Sequence, residues 1–378
     1  MPDAIVIGGG VIGLLSAREL RRRGFNVTLV ERDRPGRQAS WASAGILSTA
    51  DRHGGGLDTA LKRRSEQLYP ELVADLKEES DIDPEMTYHG HVIPAFSVAQ
   101  ADEFRAQART DLDAELVEGA ALRDAEPALG PNIVAGLLRP GGQIDNRRLC
   151  RALEVAVRRA GVNLVYGASV TEILRDGNKV VGVRTLEGEI RAPIVVNAAG
   201  SWSRQIPGCE PMIPVVPQRG EILALDQSAV GLTRVVTKVP DPYLVPRADG
   251  RLIVGATRKY TGYNAAYTAG GVHWLLSEAI DMIPALAEAP IVEIWTGFRP
   301  NSLDGVPSIG PGTVDGLFFA TGHGPSGIAP APASAELLAD LITGVRPKVP
   351  TEPFDPRRFV GVEMPDPSTW GIRGGLPI

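Results

Sequence analysis

The first chemistry-bearing stretch is Gly8-x-Gly10-x-x-Gly13, set between the apolar run Ala4–Ile7 and a helical pattern through Leu14, Ala17 and Leu20 that Gly24 stops. Gly8 permits a tight turn, Gly10 lets the backbone approach a pyrophosphate, and Gly13 allows the helix to pack closely on the strand. The anion would rest on the helix N-terminus, where free N–H groups and the helix dipole favour negative charge. Asn26–Val30 reads as the next strand and ends on Glu31, whose carboxylate can accept hydrogen bonds from a ribose diol. A glycine triplet alone can mean only a tight turn. Inside a β-α-β unit of about thirty residues with an acid at its far end, it predicts a dinucleotide site.

Two further stretches bear on which dinucleotide. Ala39-Ser40-Trp41-Ala42-Ser43-Ala44-Gly45-Ile46-Leu47 is a run of mostly small residues. Small side chains let backbone N–H groups reach a second phosphate or a flavin ring, and a surface loop would rarely carry Trp41, Ile46 and Leu47. Val195-Val196-Asn197-Ala198-Ala199-Gly200-Ser201-Trp202 is an apolar strand running directly into small residues, which returns the chain to the bound cofactor at Ala199 and Gly200. Other reactive residues carry less. His53, His89, His91, His273 and His323 lack metal-ligand spacing, so no metal is expected. Cys150 and Cys209 are too few and too scattered for a disulfide framework.

The elements that must position these residues alternate in kind. After the opening β-α-β unit comes a long amphipathic helix over Asp58–Glu79, with Leu61, Leu68, Leu72, Val73 and Leu76 on one face. Residues 85–140 break into short strands and helices, with a polar helix over Ala101–Thr110. Asp145 opens another helix, and strands are expected at Val162–Tyr166, Val170–Leu174, Val180–Thr185 and Ile194–Asn197. Residues 211–293 are mostly strand, with one helix over Val272–Met282. The α/β pattern then returns in strand Leu317–Ala320, turn Gly322–Gly327 and helix Ile328–Leu341. The proline-rich residues after Val345 read as a surface tail. This ordering predicts an α/β fold: a discontinuous Rossmann-like domain over 1–84, 145–210 and 292–378. A second, α+β domain on a mostly antiparallel sheet would span 85–144 and 211–291.

Composition narrows the classes. The chain has 378 residues, 43% hydrophobic and 22% charged, with a net charge of −6. That is a globular balance, and a nucleic-acid binder would show a basic stripe instead. Arg21-Arg22-Arg23 ends the first helix, where it complements the dipole. No apolar run approaches the ~18 residues a membrane span needs. With few cysteines and no leader-like start, a cytoplasmic location is expected.

Taken together, these motifs resemble the D-amino-acid oxidase superfamily, and among its branches the glycine oxidases associated with thiamine biosynthesis. The resemblance covers nearly the whole chain. Besides the stretches above it includes Gly142–Leu149, Pro217–Glu221, Tyr243–Arg247, Val254–Thr257, Gly297–Pro300 with Asp304-Gly305, and Gly322-His323 through Gly327-Ile328. It implies non-covalent FAD, since neither cysteine lies in a motif like those that attach flavin covalently in sarcosine oxidases. It sets Val11, Ile12, Glu31, Arg32, Ala39, Ser40, Ala44, Gly45, Ile46 and Val170 against FAD. Gly322, His323, Gly324, Pro325, Ser326, Gly327, Ile328 and Ala329 would run along the flavin. Arg299 matches the carboxylate-binding arginine, a guanidinium fork suited to a bidentate grip. Tyr243 matches an active-site tyrosine that joins that grip.

The implied activity is oxidation of a small amino acid by hydride transfer to flavin N5, with dioxygen as acceptor and an imine, an α-keto acid, ammonia and hydrogen peroxide as products. A D-amino-acid or sarcosine-type oxidase, a dehydrogenase passing electrons to a quinone or partner protein, and a catalytically silent FAD module remain open alternatives. The resemblance also implies a homo-oligomer, although no patch in the sequence marks an interface. Two positions depart from the glycine-oxidase pattern. Pro325 stands where an arginine is usual, and Pro325 cannot donate a hydrogen bond. Arg258 stands where an apolar or acidic residue is expected; it either faces solvent or adds positive charge near the substrate.

Overall fold

The computed structural model describes residues 1–48, 56–239 and 241–364; His53 lies outside them. Strand Ala4–Ile7, helix Val11–Arg22 and strand Val27–Glu31 form the expected β-α-β unit. Every residue of both strands is buried, as parallel strands covered on two faces require. They belong to a six-stranded sheet in the order Ser308–Pro311, Leu317–Thr321, Ile194–Asn197, Ala4–Ile7, Val27–Glu31, Asn163–Tyr166. Only the Ser308–Pro311 edge runs antiparallel.

Alternation along these strands decides what covers each face. Ala4 and Val6 join a core with Leu14, Leu153 and Leu338, from helices Val11–Arg22, Asn146–Arg159 and Ala331–Thr343. Ile5 and Ile7 point the other way and pack with Ile173, Val180 and Val183 of a three-stranded antiparallel meander. Helix Asn146–Arg159 begins where Asp145 accepts from the backbone N–H groups of Arg147 and Arg148.

The second sheet has eight strands in the order Ile291–Ser302, Val215–Asp226, Arg251–Gly255, Tyr243–Pro246, Val235–Thr237, His91–Ala95, Ala135–Arg139, Glu115–Glu118. All neighbours are antiparallel except Val235–Thr237 beside His91–Ala95. Leu223, Leu225 and Val254 bury one face against Leu275, Ala279 and Met282 of helix Ala269–Met282. Ile222, Ala224, Val245 and Ile253 bury the other against Ala42 and Ala44. The small-residue run thus covers that face of the larger sheet.

Three expectations change. The expected boundary at 292 falls inside strand Ile291–Ser302, which pairs along its length with Val215–Asp226 and so belongs to the larger sheet. The last long helix starts at Ala331 rather than Ile328, because Gly324–Ser326 forms a 3-10 turn first. The residues after Val345 are not simply a surface tail. Two short 3-10 turns follow, and they bury Phe354 in the helix-side core and Phe359 on the opposite side of the sheet. No helix among the described residues is long and apolar enough to cross a membrane. His91 hydrogen-bonds through Nε2 with the Gly142 carbonyl, and no metal-binding cluster occurs among the described residues.

Candidate active site

A cavity of about 420 Å³ is lined by residues of both sheets. At one end lies the glycine turn. Gly8 has φ +103°, and a Cβ there would sit 2.5 Å from the Ala198 carbonyl oxygen. A Cβ on Gly13 would meet the Gly8 oxygen at 1.9 Å, so Gly13 serves packing and does not line the cavity. Helix Val11–Arg22 starts here with no side-chain cap and no acid in its first turn. Its positive end therefore faces the cavity with no acid in the first turn to offset it, which suits a phosphate. Glu31 is nine-tenths buried and pinned: Oε2 accepts from Gly9 N at 2.6 Å and Oε1 from Asp33 N at 3.0 Å. A carboxylate retains lone pairs beyond those two for a sugar hydroxyl. The Arg32 guanidinium lies 3.6 Å from the ring centre of Trp202.

The small-residue run is fastened from two sides. Ser40 Oγ accepts from Val11 N at 2.9 Å, and Asn146 Nδ2 donates to the Ser40 and Trp41 carbonyls, each at 2.8 Å. Trp295 Nε1 donates to the Ala42 carbonyl at 3.1 Å. Arg247 is buried and donates to the Ala44 carbonyl, to Asn146 Oδ1, to the Ile144 carbonyl and to Gln143. Burial pulls its pKa down to about 10, against the opposing charge of the buried Asp145, 4.0 Å from Nε. Gly45 must be glycine: φ is +60°, and a Cβ would lie 1.9 Å from the Ile144 oxygen. Arg247 and Asn146 escaped the sequence reading as clamps because their partners lie about a hundred residues away.

At the other end of the cavity stand Tyr243 and Arg299. Arg299 pairs in register with Gln218 and donates from Nη1 to the Thr257 carbonyl at 3.0 Å. Burial lowers its pKa, while neighbouring Tyr243 acts the other way. Among the described residues Arg299 makes no ion pair with a carboxylate, so a desolvated guanidinium faces the cavity ready for an anion. Gly255 gives Tyr243 its place, since a Cβ there would fall 2.6 Å from the Tyr243 hydroxyl. Arg258 does not face solvent. It lines the cavity and pairs with Asp241, Nε to Oδ2 at 2.5 Å and Nη2 to Oδ1 at 3.1 Å. Asp241 was not singled out from the sequence; its place two residues before Tyr243 was the available signal.

The remaining wall is the turn after strand Leu317–Thr321. Gly322, His323, Gly324, Pro325, Ser326, Gly327, Ile328 and Ala329 all border the cavity, as do Gly10, Val11, Ile12, Ala39, Ser40, Ala44, Gly45, Ile46, Val170, Ala199 and Gly200. His323 is buried, contacts Ser334 Oγ through Nε2 at 3.1 Å, and has its pKa pushed down to about 3 by desolvation. It is neutral at physiological pH. Tyr69 donates to the Ile328 carbonyl at 2.5 Å and so fixes the far end of the turn.

A family model described as FAD dependent oxidoreductase matches residues 3–341. A glycine oxidase of Pseudomonas aeruginosa is 36% identical over 363 residues, covering 93% of this chain and 98% of that one. The crystal structure of a Bacillus cereus glycine oxidase superposes with a TM-score of 0.86 at 30% identity, covering 92% and 98%. That of an iminodiacetate oxidase from Chelativorans superposes with a TM-score of 0.83 at 25% identity, covering 93% and 98%. The chain belongs to the FAD dependent oxidoreductase family. Within it, the chain is an enzyme that uses FAD to oxidise amines or amino acids.

Proposed function

We propose that the enzyme oxidises the carbon–nitrogen bond of a small α-amino acid, glycine or a close analogue, with dioxygen as final acceptor. For glycine, dioxygen and water the products are glyoxylate, ammonia and hydrogen peroxide. FAD, when bound, supplies the acceptor for the hydride leaving the α-carbon, at flavin N5. The chain's residues do the rest. Gly8, Gly10 and the N-terminus of helix Val11–Arg22 would hold the pyrophosphate, Glu31 the ribose, and the His323–Ala329 turn the flavin edge.

Arg299 grips the substrate carboxylate, and the Tyr243 hydroxyl completes the grip, so that one face of the α-carbon is presented for oxidation. The observation that carries this reading is the Arg299 guanidinium, desolvated, bordering the cavity and without a carboxylate partner among the described residues. His323, neutral and committed to Ser334, does not serve as the base. The substrate therefore enters as, or becomes, the free amine without a histidine relay.

The test is product stoichiometry in air. Glycine should yield glyoxylate, ammonia and peroxide in equal amounts, and Arg299→Ala should raise KM by at least tenfold, the loss of a charge-assisted pair of about 1.5–3 kcal/mol. Glyoxylate without peroxide would move the acceptor from dioxygen to another carrier.

A further inference from the structure

The cavity carries charge that the binding of glycine does not use. Asp241 precedes Tyr243 by two residues and lines the same cavity; Arg258 follows Gly255, the register partner of Tyr243. Arg258 Nη2 donates to Asp241 Oδ1 at 3.1 Å and Nε lies 2.5 Å from Oδ2, with 14% of the Asp241 side chain and 24% of the Arg258 side chain exposed. The charges of both reach Arg299. An ion pair on a pocket wall is a poor surface for an alkyl side chain, because burying it there would strip both ions of water without replacing their hydrogen bonds.

Resting on the proposed amino-acid oxidation, we infer that Asp241 and Arg258 form a second ionic subsite and that the favoured substrates are amino acids with a second carboxylate. The charges match in number and sign. A dicarboxylic α-amino acid brings two carboxylates and one ammonium; Arg299, Arg258 and Asp241 offer two guanidinium groups and one carboxylate. Arg299 takes the carboxylate next to the reacting carbon, Arg258 the distal one, and Asp241 accepts from the amine. A guanidinium has five N–H donors, so Arg258 can keep its contact with Asp241 and still meet the distal carboxylate. Pro325, on the wall of the same cavity, supplies no cation, whereas Arg258, beside the register partner of Tyr243, does.

The distal carboxylate can sit on either side of the amine. In iminodiacetate it is carried on nitrogen, and oxidation with dioxygen and water gives glyoxylate, glycine and hydrogen peroxide. In D-aspartate it is carried on carbon, and the products are oxaloacetate, ammonia and hydrogen peroxide. Both use the same bond cleavage at the α-carbon, and the two probes separate the geometries.

The experiment measures kcat/KM of the wild-type holoenzyme for glycine, iminodiacetate, D-aspartate and D-alanine by peroxide release, then repeats it with Arg258→Met. The expected wild-type result is at least a tenfold preference for iminodiacetate or D-aspartate over both glycine and D-alanine. Arg258→Met should cut the dicarboxylate-to-glycine ratio by about 10- to 100-fold, the range for one charge-assisted pair. Wild-type preference for glycine or D-alanine overturns the inference while leaving the amino-acid oxidase reading intact, as does a ratio that Arg258→Met leaves unchanged. If none of the four substrates releases peroxide or reduces the flavin, the oxidase reading falls and this inference with it. Should Arg258→Met fail to fold, the wild-type ratios decide alone.

Discussion

The Arg299 guanidinium lies against the α-carbon of Gly220: a Cβ built there would be 2.8 Å from both Nη1 and Nη2. The two residues sit on paired strands, Gly220 opposite Gly297 and Arg299 opposite Gln218. A missing methyl group on one strand is what lets the arginine on the next lie flat along the cavity wall. Gly220→Ala should therefore tilt the guanidinium while leaving FAD bound. A misplacement on the order of 1 Å is expected to lower kcat/KM roughly 100-fold, with the visible flavin spectrum unchanged. Normal kinetics in Gly220→Ala would show that Arg299 does not position the substrate.

Tyr69 is buried, and its hydroxyl donates to the Ile328 carbonyl across 259 positions of sequence. Tyr69→Phe keeps the ring and removes one of the two hydrogen bonds to that carbonyl, which also accepts from Ala331 N at 3.1 Å, a loss of about 0.5–1.5 kcal/mol. Thermal unfolding of the holoenzyme should shift down by about one to three degrees, and the FAD dissociation constant should rise, because the tethered turn borders the cavity. An unchanged flavin affinity would confine the bond to stability alone.

Arg247 offers a harsher test. Its guanidinium satisfies carbonyls or amides of Ala44, Gln143, Ile144 and Asn146, so it joins the small-residue run and the Gly142–Leu149 stretch to the larger sheet. Arg247→Met strips several buried acceptors at once, and a loss of about 3–5 kcal/mol is expected. The protein should purify with little FAD, and a yellow, fully stable Arg247→Met enzyme would contradict the clamp.

His323 gives a pH signature whose sign follows from its burial. Its pKa is about 3 in the fold against 6.5 ordinarily. Between those values the unfolded chain holds a proton that the folded chain does not, so stability falls as pH drops from 6.5 toward 3. Integrated over one group, the loss between pH 7 and pH 5 is about 2 kcal/mol. Chemical denaturation of wild type and His323→Gln at both pH values isolates this contribution. Parallel pH profiles for the two proteins would mean that folding leaves the pKa of His323 at its ordinary value.

Much of this architecture was legible because local chemistry states it. The glycine turn, Glu31 at its strand end and Asp145 at its helix start are each fixed by neighbours within a few residues or by one β-α-β unit. The fold class followed from the return of the α/β pattern after each strand-rich stretch. What escaped has distant causes. Gly220 and Gly255 look like ordinary strand residues until Arg299 and Tyr243 are seen lying on them. Arg258 read more readily as solvent-facing because its partner, Asp241, is on another strand connection. Phe354 and Phe359 lie in a proline-rich text that reads as exposed, yet both are buried against the six-stranded core.

FAD held without a covalent bond predicts that acid or heat denaturation followed by filtration leaves all flavin fluorescence in the filtrate. Cys150 is buried and Cys209 is packed near Asn197, and neither borders the cavity. Flavin retained on the denatured chain would require another attachment residue.

The most direct test of the central claim is anaerobic mixing of the yellow holoenzyme with glycine, iminodiacetate, D-aspartate and D-alanine in turn, followed by admission of air. Amino-acid oxidation predicts that at least one of them bleaches the visible flavin band, that Arg299→Ala bleaches far more slowly, and that air restores the colour with release of peroxide. A flavin that stays oxidised with all four, in a protein that retains its FAD, would contradict the assignment of this cavity to amino-acid oxidation.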